Sequence, residues 1–241
     1  MVILRKCSLI QGKRKQKITL QEGLVKHMRN RFDEQLSLLN NKMIEMGAMC
    51  ESLISFTSTA LLSGNGKDAG EVKVRGREID QMEREIEAIC LKLLLQQQPV
   101  AKDLRQISAA LKMITDMERI GDQAEDIAEI IPFLGGRTGA ELTDFKMMAD
   151  ATCKMVTESI DAYVKQDLEL AQMVIEHDDV VDGCFLRLKE ALINMLSENK
   201  ADGEYAIDLL MIAKYFERIG DHATNIAEWV EFSVTGNHKG E

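Results

Sequence analysis

A twelve-residue stretch rich in carboxylates occurs twice in the chain, at residues 118–129 and 217–228. The two copies are 99 residues apart and nine of their twelve positions are identical. Each copy carries two acids with four-residue spacing: Glu118 and Asp122 in the first, Glu217 and Asp221 in the second. On a helix, residues at i and i+4 lie on one face, so each copy presents two carboxylates in one direction. A match this dense within one chain indicates a duplicated structural unit.

Further acids precede each copy. With the same offset of 99, Asp80 corresponds to Asp179 and Glu83 to Asp182. Asp80 and Glu118 each lie nineteen residues from Pro99, so an antiparallel helical hairpin folded near Pro99 would place them level with each other. The predicted sites are Asp80, Glu83, Glu118 and Asp122 in one unit, and Asp179, Asp182, Glu217 and Asp221 in the other.

Four carboxylates gathered between two helices repel one another unless their pKa values rise or a cation neutralises them. Ligand sets made only of oxygen suit iron, manganese, magnesium, calcium, or zinc. The sequence therefore predicts one carboxylate-bound metal cluster in each unit. The other interpretation is a solvated acidic face with Arg119 and Arg218 as ion-pair partners. The sequence contains no Glu-x-x-His, which argues against a ferritin-like di-iron oxidase site.

The elements that must position these acids are long helices. Apolar residues recur three and four positions apart, and Pro99 and Pro132 are the chain's two prolines. The pattern predicts an all-α fold of two tandem, pseudo-symmetric three-helix bundles with six long antiparallel helices. The helices are expected at about Met28–Leu62, Asp68–Gln97, Val100–Ile131, Leu142–Lys165, Leu168–Leu196 and Ala201–Val234. The predicted limits are a basic extension at 1–27, bundle 1 at 28–134, a linker at 135–140, bundle 2 at 141–235 and a tail at 236–241.

Composition and charge exclude several classes of protein. The formal net charge of −10 argues against a nucleic-acid binder. Five cysteines without a Cys-x-x-Cys argue against a disulfide framework or a zinc ribbon and favour reduced cytosolic thiols. The apolar start is too short for a signal peptide, and no run of about 18 apolar residues predicts a membrane span.

The extension before Met28 has a different character from the rest of the chain. Its first 17 residues include a basic stretch formed by Arg5, Lys6, Lys13, Arg14, Lys15 and Lys17. One interpretation is a disordered segment, since runs of like charge are usually solvated. The other is a loose arm that contacts an anionic membrane surface.

The residues also resemble a known family. Two copies of Glu-Arg-Ile-Gly-Asp-x-Ala-x-x-Ile-Ala-Glu, two three-helix units, and Arg77-Glu-Ile-Asp80 leading to the stretch Leu94–Pro99 resemble the PhoU family of phosphate transport and signalling regulators. The resemblance extends from about Met28 to Phe232. Two features depart from the family pattern, namely the basic extension and Asp126, where asparagine is more usual.

This resemblance implies a cytoplasmic, dimeric protein that is peripheral to the membrane and acts as a negative regulator without catalysis. It implies two partners, the high-affinity phosphate ABC transporter and the sensor histidine kinase of the phosphate two-component system. It also implies metal clusters of iron or zinc, with magnesium or manganese as further candidates, on the acids at 118, 122, 217 and 221. The acids at 80, 83, 179 and 182 extend this set from the repeat alone.

The hypothesis from the sequence is thus a metal-binding adaptor that regulates phosphate uptake and phosphate-responsive signalling. Two alternatives stay open. A carboxylate-bridged metalloenzyme would need an open coordination position and a working acid or base. A helical scaffold without metal would leave its acidic faces bare.

Overall fold

The fold consists of long helices joined by short connections. A computed structural model describes the backbone of residues 2–64, 69–96, 99–137, 142–198 and 203–237, and within them the side chains from residue 29 onward except those at 69, 96 and 142. The helices in these ranges are α1 Val2–Ser63, α2 Ala69–Gln96, α3 Ala101–Ile130, α4 Leu142–Lys165, α5 Leu168–Glu198 and α6 Gly203–Thr235. A short 3-10 helix, Ile131–Leu134, follows α3. The all-α prediction is confirmed.

The first helix is longer than the sequence pattern predicted. It begins at Val2, so the predicted start near Met28 was wrong. The segment before Met28 contains no proline and is rich in leucine, lysine, arginine and glutamine, which all favour helix. The side chains of its basic residues lie outside the described residues, as do residues 138–140 of the predicted linker and 238–241 of the predicted tail.

Each unit is a bundle of three helices around an apolar core. α1 packs on α2 and α3, while α4 packs on α5 and α6. Within the repeated motif, Ile120 and Ile127 of α3 are fully buried, as are Ile219 and Ile226 of α6. Each such side chain contributes about 1.5–3 kcal/mol when it leaves water. The motif therefore anchors its helix in the core on one face while its acids lie on another.

The two units pack side by side through α3 and α6, with a further contact between α1 and α4. Side chains in the first half of α3 contact side chains in the last part of α6, and side chains late in α3 contact side chains in the first half of α6. The pairs are Lys112 with Trp229, Asp116 with Asn225, and Asp126 with Tyr215. α3 and α6 are therefore antiparallel, and a pseudo-twofold axis relates the units. In the part of the chain that the structure describes, none of the helices is long and apolar enough to cross a membrane.

Candidate metal centres

Each unit brings its second and third helices close together at a glycine inside the motif. A Cβ added at Gly121 would lie 3.3 Å from Cδ1 of Ile79, and one added at Gly220 would lie 3.4 Å from Cγ1 of Val181. Glycine inside a helix costs about 1 kcal/mol relative to alanine. The close approach accounts for the glycine in both copies, because a Cβ at Gly121 would press on Ile79 and a Cβ at Gly220 would lie 3.0 Å from Oδ1 of Asp178, so a neighbouring side chain would have to shift.

The buried stripes of the two hairpins give the register between them. The buried residues Ile79, Met82 and Ile86 of α2 correspond to the buried Val181, Cys184 and Leu188 of α5, so α2 and α5 are related by an offset of 102 residues. The offset of 99 holds for α3 and α6 but was wrong for α2 and α5, because the connection between the last two helices of each unit differs in length. Asp80 is therefore equivalent to Asp182, whereas Asp179 is equivalent to Arg77.

In the first unit, the structure places the predicted acids of α2 and α3 near one another. Glu118 is half-buried, with 24% of its side chain exposed. Burial, followed by the charge of Asp122 and the smaller effects of Glu83 and Asp80, raises the pKa of Glu118. Burial likewise raises the pKa of Glu83, with contributions from Glu87 and Asp80. The outer groove between α2 and α3 therefore holds carboxylates whose charges repel one another.

A further acid in this groove was not among the predicted ligands. Glu125 of α3 lies over Gly76 of α2, and a Cβ added at Gly76 would lie 1.6 Å from Oε1 of Glu125. Burial raises the pKa of Glu125, and the charges of Asp122 and Asp80 raise it further. The glycine in α2 thus leaves the space that the Glu125 carboxylate occupies.

In the second unit, the acid with the largest shift is Asp178, which the sequence prediction also missed. Its Oδ1 lies 3.0 Å from a Cβ position built on Gly220. Burial raises the pKa of Asp178 to about 6, with further contributions from Asp182, Asp221 and Glu217. Asp179, which was predicted, has a smaller effect on this pKa and its own side chain is exposed.

The other acids of the second unit lie in the same outer groove. Burial raises the pKa of Asp221, and the neighbouring charges of Glu217 and Asp182 raise it further. Lys214 acts in the opposite direction on this carboxyl. The structure therefore brings the predicted acids of α5 and α6 together around Asp178, apart from the outward-facing Asp179.

A sequence signal for Asp178 existed. The buried stripe of α5 includes Ala171, Val174 and Val181, which follow one another at intervals of three and seven positions. Asp178 falls on that stripe, four residues after Val174 and three before Val181. A carboxylate on the apolar face of a helix is rarely buried without a partner or a function. A fixed offset of 99 from Asp80 leads to the neighbouring Asp179 instead.

The two units supply a carboxylate to the same place from opposite helices. The offset of 102 makes Asp178 the equivalent of Gly76, and the offset of 99 makes Thr224 the equivalent of Glu125. In the first unit, α2 provides the glycine and α3 the acid. In the second unit, α5 provides the acid and α6 a threonine whose buried Oγ1 has no hydrogen-bond partner.

Basic side chains on the same helices contact the motif acids. Arg119 lies 3.5 Å from Glu118 and 3.1 Å from Asp122, and Lys214 forms an ion pair with Glu217. Among the described residues, no three side chains of His, Cys, Asp or Glu converge closely enough to hold a metal ion. The donor set nevertheless suits a hard cation, since it is built from carboxylates held near one another against their mutual repulsion.

Two units also meet through polar side chains that the sequence did not indicate. His222 Nδ1 lies 2.9 Å from Oδ1 of Asp116, and Asn225 Nδ2 donates to the same oxygen at 3.2 Å. The symmetry-equivalent contact is a hydrogen bond from the Tyr215 hydroxyl to Asp126. His222 therefore points toward the opposite unit rather than toward the acids beside Asp221.

One of the larger surface grooves lies away from these acids. It is a groove of about 600 Å³ between α1 and α2, lined in part by Met49, Val74 and Met82. Its apolar lining and mixed charges give it a different character from the carboxylate grooves.

The fold and the site thus define a class of helical proteins, in which a three-helix unit is duplicated and each unit carries acids along the hairpin of its last two helices. The family model described as "PhoU domain" matches residues 43–131 and 145–230. The chain therefore belongs to the PhoU family, as its resemblance implied.

Named relatives agree with this assignment. A "Phosphate-specific transport system accessory protein PhoU homolog" from Clostridium acetobutylicum is 36% identical over 208 residues, which cover 85% of this chain and 94% of the relative. A homolog of the same name from Zymomonas mobilis is 35% identical and covers 89% of this chain and 91% of the relative. The crystal structure of PhoU from Pseudomonas aeruginosa superposes with a TM-score of 0.81 at 31% identity, covering 86% of this chain and all of that one.

Proposed function

We propose that this protein is an accessory protein of phosphate-specific transport that binds metal ions through its two carboxylate grooves and regulates phosphate-responsive signalling. In this role it is a cytoplasmic, dimeric, non-catalytic adaptor between the phosphate ABC transporter and the phosphate sensor histidine kinase. The names of its relatives support the link to phosphate transport. The observation that carries the metal-binding part is the repeated gathering of like charges on two equivalent hairpins.

The acids that would hold metal come from both helices of each hairpin. In the first unit they are Asp80, Glu83, Glu118, Asp122 and Glu125; in the second they are Asp178, Asp182, Glu217 and Asp221, with the exposed Asp179 at the edge. A bound cation would neutralise their charge and join the two helices of the hairpin. Binding would require Arg119 and Lys214 to release the carboxylates that they contact.

Metal analysis tests this site directly. Protein purified without chelator should contain iron or zinc, or magnesium or manganese, and the double change Glu118→Ala with Asp122→Ala should lower the metal content by about half, because one of two equivalent sites is lost. Glu85→Gln is the matched control, since Glu85 lies on α2 but pairs with Lys42 of α1 at 3.3 Å. Unchanged metal content in the double variant would show that the motif does not hold the metal.

The regulatory role is tested in the source organism. Deletion of the gene should raise the expression of phosphate-starvation genes at high phosphate, because the adaptor would no longer restrain the kinase. A copy that lacks all four motif acids should fail to restore repression if metal is part of the signal. Expression that does not change on deletion would contradict the regulatory proposal, whatever the metal analysis shows.

A helical adaptor that functions without metal is the second candidate. The ion pairs of Arg119 and Lys214 favour it, because they already compensate part of the acidic charge. This candidate predicts metal-free protein in elemental analysis and full repression by the variant without motif acids. The same two measurements therefore distinguish the candidates.

A further inference from the structure

The outer face of the α5–α6 hairpin carries a group of apolar side chains that contact water. Toward the loop end of the hairpin these are Leu186 at 62% exposed, Ile193 at 53%, Ile207 at 59% and Met211 at 41%. We name these four residues the hairpin patch. Single exposed apolar residues are normal on a protein surface, but a group of large ones marks a binding site.

The register of the hairpin makes the patch contiguous. Lys214 Nζ lies 5.7 Å from the ring centroid of Phe185, and a Cβ on Gly203 would lie 3.9 Å from Cδ2 of Leu196. With these contacts fixed, residue 193 of α5 lies level with residue 207 of α6. By helical count, Leu186 lies on the same side of α5 as Asp182, which is the outer edge next to α6.

The first unit provides an internal comparison for this face. The equivalents of the patch residues on α2 and α3 are Arg84, Leu91, Ser108 and Lys112, all exposed. Three of the four positions are therefore polar or charged in the first unit and apolar in the second. Core positions stay apolar in both units, so this difference is not a general drift toward apolar residues.

The charges around the patch indicate what would cover it. The exposed acids Asp182 and Asp179 lie about one and two helical turns before Leu186, and the exposed Asp221 lies almost three turns after Met211. Two basic residues, Lys189 and Lys214, lie closer to the patch. Seven of the chain's 30 Lys and Arg but only one of its 40 Asp and Glu precede residue 29, so the remainder carries a formal charge of −16. A symmetric contact between two copies of the patch would bring like charges together.

We infer that the hairpin patch docks an amphipathic helix of a partner protein, with apolar residues on one face of that helix and lysine or arginine beside them. The apolar side chains would supply the contact area in the groove, as in other helix-in-groove complexes. The flanking acids would pair with the basic residues and select against acidic helices. This surface does not depend on metal in the carboxylate grooves.

A designed peptide tests the inference with the full chain. The probe is an 18-residue helix with leucines on one face and lysines on the other, carrying a fluorophore, and the readout is anisotropy. The change Ile207→Ser with Met211→Lys gives the second unit the residues of the first, and it should weaken binding by about tenfold. Met173→Lys is the matched control, because it adds the same charge to an apolar residue of α5 that is 56% exposed but lies outside the patch.

The outcomes separate the possible occupants. The same peptide with glutamates in place of lysines should bind about tenfold more weakly than the lysine form. An equal loss of affinity in the Met173→Lys control, or no saturable binding, would overturn the inference. So would a wild-type dimer in sedimentation that Ile207→Ser with Met211→Lys dissociates, since a second copy would then cover the patch. Circular dichroism of each variant excludes loss of folding as the cause.

Discussion

The two units of this chain share a motif but differ in how they complete it. In the first unit, Glu125 of α3 extends over Gly76 of α2, whereas in the second Asp178 of α5 lies against Gly220 of α6. The carboxylate thus reaches an equivalent place in the groove from opposite helices. The comparison teaches that a duplicated fold can keep the position of a charge while exchanging the helix that provides it.

The largest effect is expected from matching changes in the apolar cores of the two units. Ile120→Ala and Ile219→Ala remove fully buried side chains from matching motif positions. Each change should lower the free energy of unfolding by about 2–5 kcal/mol, because it removes apolar contacts and leaves a cavity. Urea denaturation measures both. A cost below about 1 kcal/mol in one unit only would show that the cores are not equivalent.

A smaller effect is expected from moving the acid between helices. Gly76→Asp gives α2 the acid that α5 carries, and the new side chain competes for space with Glu125. The free energy of unfolding should fall by about 1 kcal/mol at neutral pH, chiefly through like-charge repulsion, because the end of the Glu125 side chain can move aside. Adding Glu125→Thr, the residue of the second unit, should restore most of the loss. A double variant no more stable than Gly76→Asp alone would contradict the exchange.

The acid of the second unit should also give a pH-dependent stability. Because the pKa of Asp178 is raised to about 6 from 3.8, the folded state binds more protons than the unfolded state between these values. This group therefore stabilises the fold at low pH, and its contribution is lost as pH rises through about 6. In chelator-treated protein, Asp178→Asn should raise stability at pH 7 by on the order of 1 kcal/mol, after allowance for solvent screening.

The control for this measurement is Asp179→Asn, which changes an exposed neighbour. It should leave the slope of stability against pH between about 4 and 6 close to that of the unaltered chain. Asp178→Asn should flatten that slope. If both variants give the same slope, the buried position of Asp178 is not the origin of the effect.

The smallest effect is expected at the contact between the units. Asp116→Ala removes the oxygen that contacts His222 and Asn225, and Tyr215→Phe removes the hydrogen bond to Asp126 that is equivalent to the Asn225 contact. Each should cost about 0.5–1.5 kcal/mol, the usual net value of such a bond. Thermal unfolding of both single variants and the pair measures the coupling. If only one variant loses stability, the two contacts contribute unequally to stability although the pseudo-twofold axis relates their positions.

Much of the architecture could be predicted from local patterns. The apolar spacing, the linker at 137–140 and the turn at Gln166-Asp167 predicted the bounds of α4, Leu142–Lys165, and the duplication indicated two related bundles. The start of α1 could not be read in this way. The basic segment before Met28 has weak apolar periodicity but good intrinsic helix propensity. Apolar spacing alone therefore placed the start of the helix too late.

The site residues could be predicted only where the two copies of the repeat align without an insertion or deletion. The motif acids on α3 and α6 follow from twelve aligned positions. The register of α5 against α6 depends on the length of the loop and on which side chain meets Gly220, and neither is a local property of the sequence. The contacts of Asp178 with Gly220 and of Glu125 with Gly76 therefore became visible only with the packing of the hairpins, although the place of Asp178 on the apolar stripe of α5 was a signal in the sequence.

The antiparallel arrangement of α3 and α6 has a consequence for assembly. α3 has 30 residues, so at 1.5 Å per residue the closed ends of the two hairpins face away from each other over about 45 Å. That span exceeds the reach of a single small domain, whose radius of gyration is about 13 Å. A partner at one closed end would therefore leave the other closed end uncovered, because the distance between the two ends follows from helix length alone.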